Sequence, residues 1–133
     1  MKKIILCSII AIALLTSCEK NDDQPLSAPS SATTTVESIN VEYKVHANSG
    51  SFSFEYIAPD AAGKPVTLTG TSNKMDQSFS FNYEKYKTLK IKAKNISSSS
   101  DEVTVEIYVN GSIIVSGSAN APGAWASAEG SGK

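Results

Sequence analysis

The sequence predicts an all-β fold, and three observations support this prediction. Apolar and polar residues alternate with a period of two in several short segments, as in strands that have one buried face. Turn-forming residues separate these segments at intervals of about ten residues. No segment shows the spacing of an amphipathic helix. We therefore predict a single antiparallel β-sandwich of about seven strands.

The alternation defines the first five predicted strands. Their apolar positions are Ile39, Val41, Tyr43 and Val45; Phe52, Phe54 and Tyr56; Val66 and Leu68; Phe79, Phe81 and Tyr83; and Leu89, Ile91 and Ala93. In the fifth strand these positions alternate with lysines, which indicates a charged outer face. We expect the aromatic side chains of the second and fourth strands to be core residues from facing strands, with a ligand-binding stripe as the alternative.

A β-hairpin is predicted around Asn110-Gly111, because a type I′ turn needs positive φ at two residues and these two types tolerate it best. A two-residue loop pairs Val109 with Ser112 and Ile107 with Ile114. The predicted core positions of the hairpin are then Val103, Val105, Ile107, Val109 and Ile114. On the reverse face, Tyr108, Ile113 and Val115 form an apolar patch that is a candidate contact surface.

The single tryptophan, Trp125, lies in a C-terminal segment of Ala, Gly and Ser. We expect a last edge strand that docks the indole, because Trp is costly to leave in water. The alternative is a loose end whose indole stacks on a ligand or contacts a partner. The predicted domain spans residues 36–128, has the size of an immunoglobulin domain and leaves 129–133 as a loose tail. A small closed barrel is the alternative fold.

Residues 1–17 have the features of a secretory signal peptide. Lys2 and Lys3 precede an apolar stretch of about twelve residues, which is too short to span a membrane but typical of a signal peptide. Leu15-Thr16-Ser17-Cys18 resembles the lipobox of bacterial lipoproteins, whose cysteine receives a diacylglyceryl group before cleavage. The resemblance implies that Cys18 becomes the lipid-modified first residue of the mature protein.

Lipidation at Cys18 has two consequences. Cys7 is lost with the signal peptide, so the mature chain has no free thiol for catalysis and no disulfide. Two or three acyl chains hold a protein firmly on a membrane without spanning it. We predict a lipid-anchored protein of the bacterial cell envelope, located at the outer membrane.

Residues 18–35 are predicted to be a flexible tether, because they are rich in Pro, Ser and Thr and nearly lack large apolar side chains. Its reach is about 20 to 25 Å. The acidic cluster Glu19, Asp22 and Asp23 resembles the surface-export signals of Bacteroidota lipoproteins, which implies exposure on the cell surface. The alternative is a solvated linker whose charges only aid solubility.

Charge and composition argue against several classes of function. The formal net charge is -1, and the chain contains no arginine, which argues against a nucleic-acid partner. His46 is the only histidine, so neither a Ser/His/acid triad nor a zinc site can be argued. Asp60 and Asp101-Glu102 lack the spacing of a calcium site. We predict no catalytic residues, no metal and no cofactor.

The strand region resembles the MmpS-like proteins, which are small exported β-sandwich proteins. The resemblance is carried by Val41-Glu42-Tyr43-Lys44-Val45, Phe54-Glu55-Tyr56 before a turn with Gly63, Leu89-Lys90-Ile91-Lys92-Ala93, and Val105-Glu106-Ile107-Tyr108-Val109-Asn110-Gly111. Mycobacterial members of that family accompany large RND-type transporters. The resemblance implies a non-enzymatic accessory module that has a transporter or another envelope protein as its partner. The alternative is a surface glycan or ligand binder that uses exposed aromatic residues such as Trp125 and Tyr108.

Overall fold

The computed structural model describes residues 35–48 and 50–133, and the predicted signal peptide, the lipid attachment at Cys18 and almost all of the predicted tether lie outside these residues. This part of the chain contains eight strands and no helix. The strands are β1 (Ser38–Ala47), β2 (Phe52–Pro59), β3 (Pro65–Ser72), β4 (Asp76–Glu84), β5 (Thr88–Asn95), β6 (Val103–Val109), β7 (Ser112–Ala119) and β8 (Trp125–Ser131).

The strands form two four-stranded antiparallel sheets, with the orders β4-β1-β6-β7 and β3-β2-β5-β8. This arrangement confirms the predicted antiparallel β-sandwich. The described strands number eight where about seven were expected, and they form two sheets instead of one closed barrel. The first two strands of an immunoglobulin domain share a sheet, whereas β1 and β2 lie in opposite sheets.

The core lies between the two sheets and follows the predicted alternation. Its largest fully buried side chains are Tyr43, Phe52, Leu89, Ile91, Ile107, Val41, Val45, Val103 and Val105. The aromatic residues of β2 and β4 meet across the gap between the sheets: the ring of Phe79 lies 4.8 Å from that of Phe54 and 4.4 Å from that of Tyr56. As predicted, they belong to the core or pack against it: Phe52 and Tyr83 are buried, and the rings of Phe54, Tyr56, Phe79 and Phe81 are half-buried.

Tyr43 connects the two sheets through its hydroxyl group. The hydroxyl donates a hydrogen bond to the carbonyl oxygen of Ile57 at 3.0 Å and accepts one from the backbone N–H of Lys90 at 3.1 Å. Tyr56 and Ile91 are the last pair of β2 and β5; Ile57 comes directly after Tyr56, and Lys90 comes directly before Ile91. Tyr43 therefore satisfies buried backbone groups at the point where the pairing of β2 and β5 ends. Burial raises the pKa of its hydroxyl above the ordinary value.

The β6–β7 hairpin has the predicted turn, but its register changes after two residue pairs. Asn110 and Gly111 have φ values of 49° and 80°, and Val109 pairs with Ser112. Tyr108 pairs with Ile113, but the next residue of β6, Ile107, pairs with Val115 instead of Ile114. The predicted pairing of Ile107 with Ile114 is therefore wrong, because a β-bulge makes Ile114 an extra residue.

The C-terminal segment forms an edge strand, β8, that runs beyond the predicted domain boundary at residue 128. Glu129, Gly130 and Ser131 pair with β5, and the carbonyl oxygen of Gly132 accepts a hydrogen bond from the N–H of Tyr86 at 2.7 Å. These residues belong to the sandwich and not to a loose tail, since their backbone groups complete the edge of the second sheet. The domain thus extends to Gly132.

Candidate functional site

The outer faces of the two sheets carry three of the four predicted contact residues, Tyr108, Ile113 and Trp125. The first of these faces is the outer face of β4-β1-β6-β7. Side chains alternate between the faces of a strand, so this face presents the residues between the buried core positions. We call it the Tyr108 face; its residues include Glu42, Lys44, His46, Asp76, Ser78, Thr104, Glu106, Tyr108 and Ile113.

Tyr108 and Ile113 lie opposite each other on β6 and β7, as the predicted patch requires. The side chain of Ile113 is 51% exposed. The ammonium group of Lys44 lies 4.2 Å from the centre of the Tyr108 ring, and the Tyr108 hydroxyl donates a hydrogen bond to Glu106 at 3.0 Å. That hydrogen bond raises the pKa of Tyr108. The two residues form a small apolar patch surrounded by charged groups.

Val115, the third predicted member of the patch, lies on the opposite face. A Cβ added to Gly130 of β8 would meet Ile114 at 3.3 Å and Val115 at 3.5 Å, so both side chains point toward the second sheet. Val115 packs against the core, whereas Ile114 remains 43% exposed at its rim. The bulge explains this correction, because the extra residue shifts the alternation of β7 by one position.

A polar cleft of about 500 Å³ lies on the Tyr108 face between β4, β1 and β6. Within it, Nδ1 of His46 lies 2.7 Å from Oδ1 of Asp76, and Nε2 of His46 lies 3.0 Å from Oδ1 of Asn48. The pairing of His46 with Asp76 was not predictable from the sequence, because it depends on the pairing of β1 with β4. Nε2 faces an amide oxygen and not a serine hydroxyl, so this geometry does not activate a nucleophile.

The protonated form of His46 is favoured by its surroundings. Both ring nitrogens face an oxygen acceptor, and only the imidazolium carries a proton on each nitrogen. The hydrogen bond with Asp76 is the largest cause of the raised pKa of His46, and the bond with Asn48 acts in the same direction. The side chain of His46 is 53% exposed, and we call this ion pair the exposed clasp between β1 and β4.

The outer face of β3-β2-β5-β8 carries Trp125, and we call it the Trp125 face. The predicted last strand is present, but the predicted docking of the indole into the domain is wrong: Trp125 is 41% exposed. The inward positions of β8 are held by Ala126 and Ala128, which are buried. A large ring would not fit there, since the adjacent strand β7 approaches β8 closely at Gly117.

Two lysines lie against the indole of Trp125. The ammonium groups of Lys92 and Lys94 are 4.7 and 4.9 Å from the ring centre, which are cation–π distances. Lys92 also pairs with Glu55 at 3.0 Å, while Lys90, further along β5, pairs with Glu129 at 2.8 Å. No carboxylate pairs with Lys94 among the described residues.

Small hydroxyl side chains surround the lysines and Trp125 on this face. Lys94 pairs with Trp125 on one side and Ser53 on the other, and Ser53 pairs with Thr71. The hydroxyl oxygen of Ser53 is buried and has no hydrogen-bond partner within the described part of the chain. The arrangement offers an aromatic surface, positive charge and hydroxyl groups side by side, which suits a polar ligand with rings.

The described ranges, 35–48 and 50–133, show no features of a metal site or of a membrane-spanning helix. They contain no group of three or more His, Cys, Asp or Glu side chains placed to hold a metal ion. None of their elements is a helix of the length and apolar character needed to cross a membrane. The chain matches no protein-family model and no curated protein.

Proposed function

We propose that this protein is a lipid-anchored, non-enzymatic accessory module of a bacterial envelope, and that it contacts a membrane transport complex through the Tyr108 face. Three features support the proposal: the leader with its lipobox cysteine, the tether after it and the resemblance to MmpS-like proteins. The apolar pair of Tyr108 and Ile113 within a charged surround is the observation that carries it, since aromatic residues are enriched at protein interfaces that have a polar rim.

The position of the pair fits a partner in the same membrane. Tyr108 pairs with Glu42, and β1 begins at Ser38, where the chain from Cys18 enters the sandwich. At about 3.3 Å per residue, the pair lies roughly 13 Å along the strand from that end. A membrane-embedded partner is therefore within reach when the tether holds the domain near the bilayer.

The anchor is tested by the intact mass of the protein purified from native envelopes. We expect cleavage between Ser17 and Cys18 and the mass of a lipid-modified cysteine. Cys18→Ala should release the protein from the membrane or stall its processing. An unmodified N-terminus at another residue would remove the basis for the anchor and for the location.

Surface exposure is tested with protease added to whole cells. We propose that Glu19, Asp22 and Asp23 direct the protein to the outer leaflet, so replacing all three with Ala should reduce digestion of the domain. The melting temperature should not change, because these residues lie outside the sandwich. Equal digestion of both versions would leave the acidic cluster as a solvated linker.

The contact surface is tested by placing a photo-crosslinking amino acid at Ile113 in the full chain and illuminating native envelopes. We expect capture of a transport subunit, and we expect Tyr108→Ser to weaken it. Ser118 is the matched control position, because it lies on the same face of β7 but pairs with Thr104, near the far end of β6. Equal capture from both positions, or capture that Tyr108→Ser leaves unchanged, would contradict the proposal.

A fold variant separates lost binding from lost stability. Gly111→Val should lower the melting temperature by several degrees, since Gly111 has φ of 80° and a bulky residue there costs about 1 to 2 kcal/mol. The folded fraction should still be captured through position 113. A destabilisation by Tyr108→Ser as large as that of Gly111→Val would show a structural role for Tyr108 instead.

A second candidate function is a surface glycan- or ligand-binding lipoprotein, and the exposed indole on the Trp125 face favours it. An indole in a flat, hydroxyl-rich surface suits stacking against a sugar ring. Trp125→Ala should then abolish enrichment of the full chain on a glycan array and leave crosslinking through Ile113 unchanged. Loss of both activities together would point to a general defect in folding.

A further inference from the structure

The Trp125 face has a charge asymmetry along β5 that bears on the kind of ligand it fits. Lys90 and Lys92 are each paired with a carboxylate, at 2.8 Å and 3.0 Å, so their charges are balanced locally. Lys94 lies 4.9 Å from the indole centre and has no carboxylate partner among the described residues. Of the two ammonium groups beside the ring, that of Lys94 is therefore the one without a carboxylate partner in the described part.

The hydroxyl groups near Lys94 differ in their accessibility to a ligand. The side chain of Lys94 lies between Trp125 and Ser53 on adjacent strands. The Ser53 hydroxyl has no hydrogen-bond partner in the described part, but it is buried, so a ligand on the surface does not reach it in this structure. The next residue across the sheet, Thr71, is exposed and adds another hydroxyl.

We propose that the Trp125 face binds an acidic polysaccharide, with one sugar ring stacked on Trp125 and a sugar carboxylate on the ammonium group of Lys94. This proposal deepens the second candidate function and rests on it. Three features fit such a ligand together: the part of the indole that remains exposed fits the C–H face of a pyranose, the ammonium of Lys94 fits the carboxylate, and the exposed hydroxyl of Thr71 fits a hydroxyl of the sugar.

Charge complementarity favours a carboxylated sugar over a neutral one. A neutral sugar would leave the ammonium of Lys94 without a counter-charge once water is displaced, and burying an unpaired charge is unfavourable. The charge-assisted bond of a carboxylate to an ammonium group is roughly twice as strong as a neutral hydrogen bond. Inorganic phosphate or sulfate offers the charge but no ring, so the stacking contribution of Trp125 would be lost.

The chain contains a single tryptophan, so its intrinsic fluorescence reports directly on the proposed site. The full chain, purified in detergent, is titrated with oligogalacturonate and with the methyl ester of the same oligosaccharide, which has the same rings without the charge. We expect a change in Trp125 emission with oligogalacturonate, an affinity at least about tenfold lower for the ester, and weaker binding at high salt. Sodium phosphate at the same concentration should leave the emission unchanged.

Two lysine variants provide a matched comparison. Lys94→Gln should weaken oligogalacturonate binding by about tenfold, the loss of roughly one charge-assisted bond, and should bring its affinity close to that of the ester. Lys90→Gln changes the same residue type on the same face of the same strand, but at a position paired with Glu129, and should bind like the parent chain. Both variants should keep the far-ultraviolet circular dichroism of the parent.

The possible failures are distinguishable. Equal affinity for the acid and the ester, or equal effects of Lys94→Gln and Lys90→Gln, would overturn the acidic-sugar proposal and leave a glycan-binding function in place. The absence of an emission change with either oligosaccharide at millimolar concentration, together with no enrichment on the glycan array, would overturn both. A response to phosphate alone as large as that to oligogalacturonate would overturn the stacking role of Trp125.

Discussion

The two long sides of the sandwich keep their sheets apart in different ways. On the side of β7 and β8, small residues line the contact, and a Cβ on Gly117 would collide with the backbone carbonyl of Ser127. On the side of β2 and β4, the rings of Phe54, Tyr56 and Phe79 fill the space between the sheets. The sheets therefore approach backbone to backbone on one side and are spaced by aromatic rings on the other.

Because of this difference, the two sides tolerate different kinds of substitution. On the side of β2 and β4, the aromatic rings lie at a half-exposed rim and can shift toward solvent. A Cβ added to Gly70 on this side would lie 2.5 Å from the end of the Phe54 ring, which can move in this way. The contact of Gly117 is with backbone atoms that are held by strand pairing. We call the side of β7 and β8 the narrow side and the side of β2 and β4 the wide side. We expect the narrow side to be intolerant of added side-chain volume and the wide side to be sensitive mainly to lost side-chain volume.

The largest effect is expected from Gly117→Ala, which would force β7 and β8 apart. Overpacking costs about 1 to 3 kcal/mol, and a backbone contact places this change at the upper end, at about 3 kcal/mol in the free energy of unfolding. Urea unfolding of the full chain measures it. Ser118→Ala, on the exposed outer face of the same strand, is the control; an equally small effect of both would show that the narrow side can relax.

The next largest effect is expected from Phe79→Ala on the wide side. A fully buried Phe→Ala change costs about 3 to 5 kcal/mol, and the half-buried position of Phe79 reduces this to about 2 kcal/mol. Ser80→Ala, on the outer face of the same strand, should be nearly neutral. A loss larger than that of Gly117→Ala would reverse the order of the two sides.

A smaller effect is expected from Tyr43→Phe, which tests the connection between the sheets without changing the ring. The backbone groups of Ile57 and Lys90 would lose their hydrogen-bond partner, at a cost of about 1 to 2 kcal/mol. Tyr108→Phe is the control, because it removes a hydroxyl that bonds to the half-exposed side chain of Glu106. Equal melting temperatures of the two variants would mean that water replaces the hydroxyl of Tyr43.

The smallest effect is expected from the exposed clasp of His46 and Asp76, at the edge of the wide side. The folded-state pKa of His46 is raised, so its contribution to stability is present below the unfolded pKa of about 6.5 and is lost as pH rises through the folded pKa. Relative to His46→Gln, the parent chain should melt slightly higher at pH 5.5 and equally at pH 8.5. A difference that grows with pH would contradict the assignment.

Local patterns were enough to predict the strands and the turn. Leu89, Ile91 and Ala93 are fully buried in β5, as their alternation with lysines predicts, and Asn110-Gly111 adopts the expected positive φ. The bulge also left a signal in the sequence, because the run Ile113-Ile114-Val115 breaks strict alternation. Read as a bulge, that run would have predicted an inward Val115.

Contacts between distant strands were not predictable from local patterns. The pairing of His46 with Asp76 depends on which strands are neighbours in the first sheet, and the outward position of Trp125 depends on the close approach at Gly117. The approach of Lys92 and Lys94 to the indole follows from the pairing of β5 with β8. Periodicity identifies the faces of a strand but contains no information on the order of strands in a sheet.

The central position of β1 in the first sheet has a consequence for the time course of folding. β1 is synthesised first among the strands, yet it pairs with β4 and β6, and the contact of Asn40 with Asn110 joins residues 70 positions apart. The first sheet therefore cannot close until most of the domain has emerged. Domains dominated by such distant pairings fold in milliseconds to seconds. The nascent chain therefore stays without its complete native sandwich until synthesis of the domain is nearly finished.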